Sequence, residues 1–281
     1  MKTLAVVGKR GSAEAVALAR QVHSHHPELE LLVGPELAEA AGWRSSTEAE
    51  MAQRAELMLV LGGDGTLIHA ARILRGRPVP ILGVNLGSLG FLTEVPRTEF
   101  LPRLEEVLAG RASLHTRMKL ACRLHRAGRV VVEDEVLNDV VISKGALARI
   151  ADHEVSLNGQ FVATFKSDGV IVATPTGSTA YALATGGPIL HPALECSVIA
   201  PISPHALTQR PLVVPGDQVV NIVMRTEVAE VYLTLDGKTG HPLERGDRLE
   251  VWRSPNRTVL VRNPNIDYFG ILRQKLHWGE R

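Results

Sequence analysis

The chain has 281 residues, 45% hydrophobic and 22% charged, with 31 basic and 30 acidic residues giving a formal net charge of +1. This excludes a disordered chain, which needs fewer apolar residues and more net charge. Neutral balance and 4% aromatics leave no electrostatic or stacking footprint for nucleic acid, so no nucleic-acid partner is expected.

The first 110 residues alternate strand-like and helix-like segments. Leu4–Val7 is a buried-strand run ending at Gly8. Ser12 offers an N-cap for a helix running to about Ser24, and Pro27 prevents its continuation. Leu29–Val33 is a second strand. Glu56–Leu61 is a third, apolar without alternation, as expected of a strand covered on both faces. Leu67, Ile68, Ala71 and Leu74 follow at helical spacing, then a strand over Val79–Val84 and a helix over Thr98–Leu108 stopped at Gly110. Such alternation predicts an open, Rossmann-like parallel sheet with helices on its faces, over residues 1–118.

After about Met118 the texture changes to short strands and turns: Arg129–Val132, Val136–Ile142, Val170–Ala173, Val213-Val214, Val219–Val223, Val231–Leu235 and Arg248–Trp252. Asn158-Gly159 between Val155–Leu157 and Phe161–Ala163 is a strong hairpin signal. The pattern predicts an all-β domain, a sandwich, over 119–260. A helix at Phe269–Trp278 is expected to return to the first domain, so that 261–281 pack there.

Cys122 and Cys196 form no CxxC or disulfide framework and read as reduced thiols. The N-terminal apolar run is four residues, far below a signal-peptide core, and no apolar run approaches the roughly 18 residues that span a bilayer. A cytoplasmic protein without a membrane partner is expected.

Four segments carry chemistry. Gly62-Gly63-Asp64-Gly65-Thr66 lies between a buried strand and a helix. Glycine amides and a helix start make a phosphate cradle. The P-loop's Gly-Lys-Ser/Thr and the dinucleotide GxGxxG are both absent. In their place is a carboxylate, which phosphates repel. It can accept a proton from a hydroxyl attacking phosphorus, or hold the magnesium of a nucleotide. The structural alternative is a tight turn with Asp64 as helix N-cap. Gly83–Thr93 is a second glycine-rich stretch after a strand, where open α/β sheets bind ligands. Leu137-Asn138-Asp139-Val140-Val141 sets an Asn-Asp pair in an apolar strand, or at a turn or bulge. Finally, Lys166–Ala184 runs from a strand into a turn with five hydroxyls between Thr174 and Tyr181, suited to ribose, adenine or phosphate, or to capping a helix.

Taken in order, GGDGT, GVNLGSLGFLT, LNDVVI, DGVIVATPTGSTAY, GGPILHP and SPHALTQRPLV resemble the NAD kinase family, over roughly residues 57–270. GGDGT is shared with diacylglycerol and sphingosine kinases; the Asn-Asp pair and TPTGSTAY are more specific. The resemblance implies an α/β domain followed by a β-sandwich, and phosphoryl transfer from ATP or another donor such as polyphosphate to the adenosine-ribose 2′-hydroxyl of NAD. It implies Asp64 as the catalytic carboxylate, as base or orienting acceptor. Gly62, Gly63, Gly65 and Thr66 would form the phosphate loop, with His69 near a phosphate. Asn138 and Asp139 would hold the adenosine half. Asp168, Thr179, Ala180, Tyr181, Ala182, Leu183 and Ala184 would complete the dinucleotide site, with Arg149 and Lys166 as nearby basic positions. Two positions depart from the common pattern: Asp139 stands where many relatives have Glu, and Lys238 where an amide is expected. No His, Cys or carboxylate cluster forms a metal cage, so magnesium or another divalent cation is expected to arrive with the nucleotide. The resemblance also implies a homodimer or homotetramer.

Two rivals are weighed against this reading. A lipid kinase needs an acyl pocket or membrane face, and no basic amphipathic helix is present. A nucleotide-sensing regulator would keep the dinucleotide site without the chemistry, against which the intact Asp64 argues.

Overall fold

The computed structural model describes residues 1–226 and 230–278. The chain divides into two compact units, Met1–Thr116 with Arg257–Arg281, and Arg117–Asn256. The sequence texture put the changes at 118/119 and 260/261. Both passages lie inside long strands, Leu114–Arg126 and Arg248–Val261, so no loop signal marks either one.

Unit 1 is a parallel sheet of β1 (Thr3–Gly8), β2 (Glu30–Val33), β3 (Leu57–Gly62) and β4 (Pro80–Asn85) in the order β2-β1-β3-β4. The two-residue β5 (Val95–Pro96) and Val259-Leu260 extend it alongside β4. All six residues of β3 are buried, which accounts for its unbroken apolar run. Helix α1 (Ala13–His25) begins where Ala15 N–H donates to the Ser12 hydroxyl at 3.2 Å. Two short helices, α2 (Pro35–Ala41) and α3 (Glu48–Arg54), have no counterpart in the expected elements. Helix α4 (Asp64–Ile73) buries Leu67, Ala70, Ala71 and Ile73, and α5 (Phe100–Leu108) buries Phe100, Leu104 and Val107. Fully burying a side chain such as Leu67 contributes about 1.5–3 kcal/mol. That packing fixes the start of α4 against the sheet. The carboxyl ends of β3 and β4 are tied together where Leu86 N–H donates to Gly62 O at 3.1 Å.

Unit 2 holds most of β6 (Leu114–Arg126), then β7 (Arg129–Val136), β8 (Asp139–Lys144), β9 (Ala151–Leu157), β10 (Gln160–Ser167), β11 (Gly169–Ala173), β12 (Cys196–Ile202), β13 (Leu212–Pro215), β14 (Val220–Met224), β15 (Val231–Leu235), β16 (Lys238–Pro242) and most of β17 (Arg248–Val261). One antiparallel sheet runs β13-β12-β11-β8-β15-β16. The other runs β10-β9-β14-β17, with β6 and β7 beyond β17. Alternate residues of both sheets share one core: Leu120 and Cys122 of β6, Val140 and Ile142 of β8, Val220 and Ile222 of β14, Leu233 and Leu235 of β15. This is the expected sandwich. The outer face of β11 is also covered, since Ile171 and Ala173 cluster with Ala182 and Leu190. Asn158-Gly159 turns the β9–β10 hairpin, as its dipeptide signals.

One expected element is corrected. Val136–Ile142 is not one strand: β7 ends at Val136, the chain bends through Leu137-Asn138, and β8 starts at Asp139. The Asn-Asp pair therefore sits at a bend, because side chains from two other segments bind its backbone. Cys122 and Cys196 are both free. Among the described residues, no helix is long and apolar enough to cross a membrane.

Candidate active site

In unit 1, the buried β3 delivers Gly62-Gly63 to the start of α4. Gly63 is the N-cap and Asp64 the first helical residue, with no side-chain cap bond, so the capping alternative for Asp64 does not hold. Its carboxylate reaches instead to the second glycine stretch. Phe91 N–H donates to Oδ2 at 2.8 Å. Leu92 N–H (3.1 Å), Thr93 N–H (3.0 Å) and the Thr93 hydroxyl (3.1 Å) all donate to Oδ1. A carboxylate offers about four acceptor directions. Oδ1 is fully engaged, while Oδ2 keeps capacity for one further donor. Gly90 makes this approach possible: a Cβ there would overlap Asp64 Oδ1 and Thr93 Oγ1 and lie 2.8 Å from Asp64 Cγ. Asn85 shapes the same loop, accepting from Gly87 N–H and donating to Ser88 O, both at 2.7 Å. The result is an open cleft of about 500 Å³, lined by Gly62–Thr66, the 85–90 loop, Lys9 and Lys275 of the C-terminal helix α7 (Tyr268–Leu276). Two cations and a helix start make it an anion site.

In unit 2, a second cleft of about 350 Å³ is lined by Asn138, Asp139, Ala180, Tyr181, Asp236 and Gly237, among others. The Asp236 carboxylate is its organiser. It accepts from three successive backbone N–H groups, Leu137 at 2.8 Å, Asn138 at 2.7 Å and Asp139 at 3.1 Å. From another side, the Thr174 hydroxyl donates to Leu137 O at 2.6 Å and Thr174 N–H to Asn138 O at 2.8 Å. Gly177 packs directly on this bend; a Cβ there would lie 2.8 Å from Asn138 Cα and overlap its carbonyl. Asn138 Oδ1 is buried without a partner. Burial, reinforced by the neighbouring charge of Asp236, pushes the Asp139 carboxyl up to about 7. Burial also raises Asp236, partly offset by its three N–H donors. Tyr181, 44% exposed, presents its ring beside this bend.

The structure thus gathers Gly62, Gly63, Asp64, Gly65 and Thr66 around one cleft, and Asn138, Asp139, Ala180 and Tyr181 around the other. The remaining candidate residues line neither. His69 lies 3.6 Å from Glu48 of α3. Asp168 pairs with Lys144 at 3.5 Å. Arg149, Lys166 and Lys238 are exposed on a loop, β10 and β16. The Gly177–Thr179 turn is a single 3₁₀ turn, followed by the four-residue α6 (Tyr181–Ala184). Within these segments Thr179 donates to Thr176 O, Ala182 is fully buried, Leu183 is half-buried and Ala184 exposed. Ala182 therefore holds the segment against β11 by packing. Sequence reasoning missed Lys9, Lys275 and Asp236. Lys9 directly follows β1 at the sheet's ligand-binding end, a readable signal. Asp236 stands in an Asp-Gly dipeptide directly after the Val231–Leu235 strand, which signals a turn and no ligand, and Lys275 gave no signal.

A parallel α/β unit with a carboxylate-bearing glycine cradle, joined to a sandwich with a polar cleft, defines a nucleotide-binding phosphotransferase. The profile of the ATP-NAD kinase N-terminal domain matches residues 5–112, and that of the C-terminal domain matches residues 137–263. An NAD kinase of Geotalea daltonii is 47% identical over 284 residues, covering all of both chains. One of Geobacter metallireducens is 51% identical, covering 89% of this chain and 88% of its own. A yeast NADH kinase crystal structure in complex with NADH superposes with a TM-score of 0.93 at 26% identity, covering 100% of this chain and 89% of its own. The chain belongs to the NAD kinase family.

Proposed function

We propose that this protein transfers a phosphoryl group from ATP to the adenosine-ribose 2′-hydroxyl of NAD, with Asp64 on the attacking hydroxyl. Membership of the NAD kinase family makes it a kinase acting on NAD to give NADP; the residue assignment is our reading. The observation that carries it is the pinned Asp64 carboxylate, with one oxygen saturated and Oδ2 left with capacity beside a glycine cradle. In the transfer, the hydroxyl oxygen bonds to the γ-phosphorus as the bond to the β,γ-bridging oxygen breaks. The hydroxyl proton leaves along its hydrogen bond to Asp64, whether the carboxylate takes it or orients it. Phosphoryl transfer asks a protein mainly for positioning and charge stabilisation.

The unit 2 cleft suits the adenosine half of NAD. Buried Asn138 Oδ1 lacks a donor, which an adenine amino group supplies, and Tyr181 offers a ring for stacking. Among the described residues no three His, Cys, Asp or Glu side chains form a metal cage. A divalent cation is therefore proposed to arrive on the nucleotide phosphates and neutralise charge there. We further propose a cytoplasmic homo-oligomer. Supporting self-association, the edge strand β13 exposes Leu212 and Val213; light scattering checks it.

The test is product formation by the purified protein with ATP and NAD, NADH or diacylglycerol, read with an NADP-specific dehydrogenase and thin-layer chromatography. NADP formation supports the reading. Phosphorylated diacylglycerol, or NAD binding without product, would replace it with the lipid-kinase or sensor reading.

A further inference from the structure

A glycine cradle supplies amides but no full positive charge, whereas a nucleoside triphosphate brings several negative ones. P-loop enzymes answer this with a lysine inside the loop. Here the loop continues Gly65-Thr66-Leu67 and carries none. The cleft's charge comes from distant parts of the chain. Lys9 directly follows β1, and its backbone N–H donates to Leu61 O at 2.8 Å, which anchors it at the carboxyl end of β3. Lys275 comes from α7, 266 residues later in the chain (275 − 9), on a helix capped by Asp267. Both line the same cleft as Gly62–Thr66. Neither forms an ion pair or side-chain hydrogen bond among the described residues, although arginines of the same unit are paired with carboxylates, as Arg97 is with Glu14 and Arg273 with Asp267. The chain has only seven lysines, and two of them converge here unpaired.

We propose that Lys9 and Lys275 bind the phosphates of the phosphoryl donor, doing from outside the loop what the P-loop lysine does from within it. Each ammonium brings three donors on a flexible stem, suited to a phosphate chain rather than to one fixed oxygen. This rests on the reading that the unit 1 cleft takes the donor. It adds that donor affinity depends on the C-terminal helix, which no loop motif reveals. It also makes donor binding salt-sensitive, because both lysines line an open cleft.

The test compares Lys9→Gln, Lys275→Gln, the double variant and Lys275→Arg with the parent, measuring KM for ATP, KM for NAD, kcat, ADP binding by calorimetry and melting temperature. Each Gln variant is expected to raise KM for ATP roughly tenfold, the lower end for losing a charge-assisted hydrogen bond. ADP binding should weaken in step, KM for NAD should stay within about twofold, and Lys275→Arg should restore most of the loss. Gly65→Val serves as the reference, since Gly65 lines the cleft and a Cβ there meets nothing within 4 Å, so the added side chain takes up space in the cradle. If Gly65→Val raises KM for ATP and both Gln variants leave it unchanged, the lysine proposal is overturned and the donor cleft stands. If Gly65→Val also leaves it unchanged, the cleft does not take the donor and both readings fall. A rise in KM for NAD alone would assign the lysines to the other substrate and overturn the proposal.

Discussion

Gly90→Ala adds a single methyl group, and the structure says where it goes. The new Cβ would overlap Asp64 Oδ1 and Thr93 Oγ1 and sit 2.8 Å from Asp64 Cγ. Neither neighbour is a loose chain end, since Asp64 holds four donors and Thr93 supplies two of them. Relief requires the 88–93 loop and the carboxylate to part. A hydrogen bond to a charged group contributes about 1.5–3 kcal/mol, so breaking two of the four costs about 3–6 kcal/mol at this one point. The overlap leaves no cheaper relief, so Asp64 moves off the position in which it would meet the attacking hydroxyl. A misplacement near 1 Å costs roughly 100-fold in rate. Gly87→Ala is the internal comparison, because its Cβ would meet only Asn85 Oδ1, at 3.9 Å, and the Gly87 N–H that donates to it is retained. The assay is steady-state NADP formation alongside NAD affinity for both variants. Gly90→Ala is expected to lose at least about 100-fold in kcat with NAD affinity unchanged, and Gly87→Ala to stay within about threefold. Equal activity in the two would refute the claim that pinning of Asp64 matters.

Asp236→Asn keeps an acceptor for Asn138 and Asp139 N–H but sets its NH₂ against Leu137 N–H; KM for NAD should rise at least tenfold with little change in KM for ATP, and an unchanged KM for NAD would remove Asp236 from the site. Stability should depend weakly on pH in the parent because two buried groups of unit 2 oppose each other. Asp139 is raised to about 7, so it favours the folded state fully below its unfolded value near 3.8 and loses that contribution as pH rises through about 7. His153 is lowered by burial to about 4, so it favours the folded state above 6.5 and loses that as pH falls toward about 4. At 1.36 kcal/mol per pH unit, the swings are on the order of 4 kcal/mol for Asp139 and 3 kcal/mol for His153. Asp139→Asn should therefore lose more stability than the parent between pH 7 and pH 5 in urea titrations, and His153→Gln should lose less; the same slope in all three would contradict the opposition.

The strand run ELMLVL was readable because burial on both faces removes alternation, and the α4 start because Gly-Gly precedes a helical spacing. The hairpin at Asn158-Gly159 was readable for the same local reason. By contrast, β6 went unread although Met118, Leu120, Cys122 and Leu124 alternate with Lys119, Arg123 and His125, because no turn signal sets the strand off at the domain passage. Helices α2 and α3 have seven residues each, too short to build a period. At the site, each motif was visible, but its partners were not. Asp64 meets Thr93 across 29 residues, and Asp139 meets Asp236 across 97. The bend at Leu137-Asn138 exists only because Asp236 and Thr174 bind its backbone, so a local reading extended the strand through it.

The most direct test of the central claim is NADP formation from ATP and NAD by the parent and by Asp64→Asn, with melting temperature and NAD affinity measured on the same preparations. The parent is expected to form NADP. Asp64→Asn keeps an acceptor for Leu92 and Thr93 but sets its amide against Phe91 N–H, so a small fall in melting temperature is expected. NAD should still bind, while turnover falls by about 10²- to 10⁴-fold, the usual effect of losing a positioned acceptor. A folded Asp64→Asn protein that binds NAD and turns over at a near-normal rate would remove Asp64 from the chemistry and leave the glycine loop as a phosphate cradle alone.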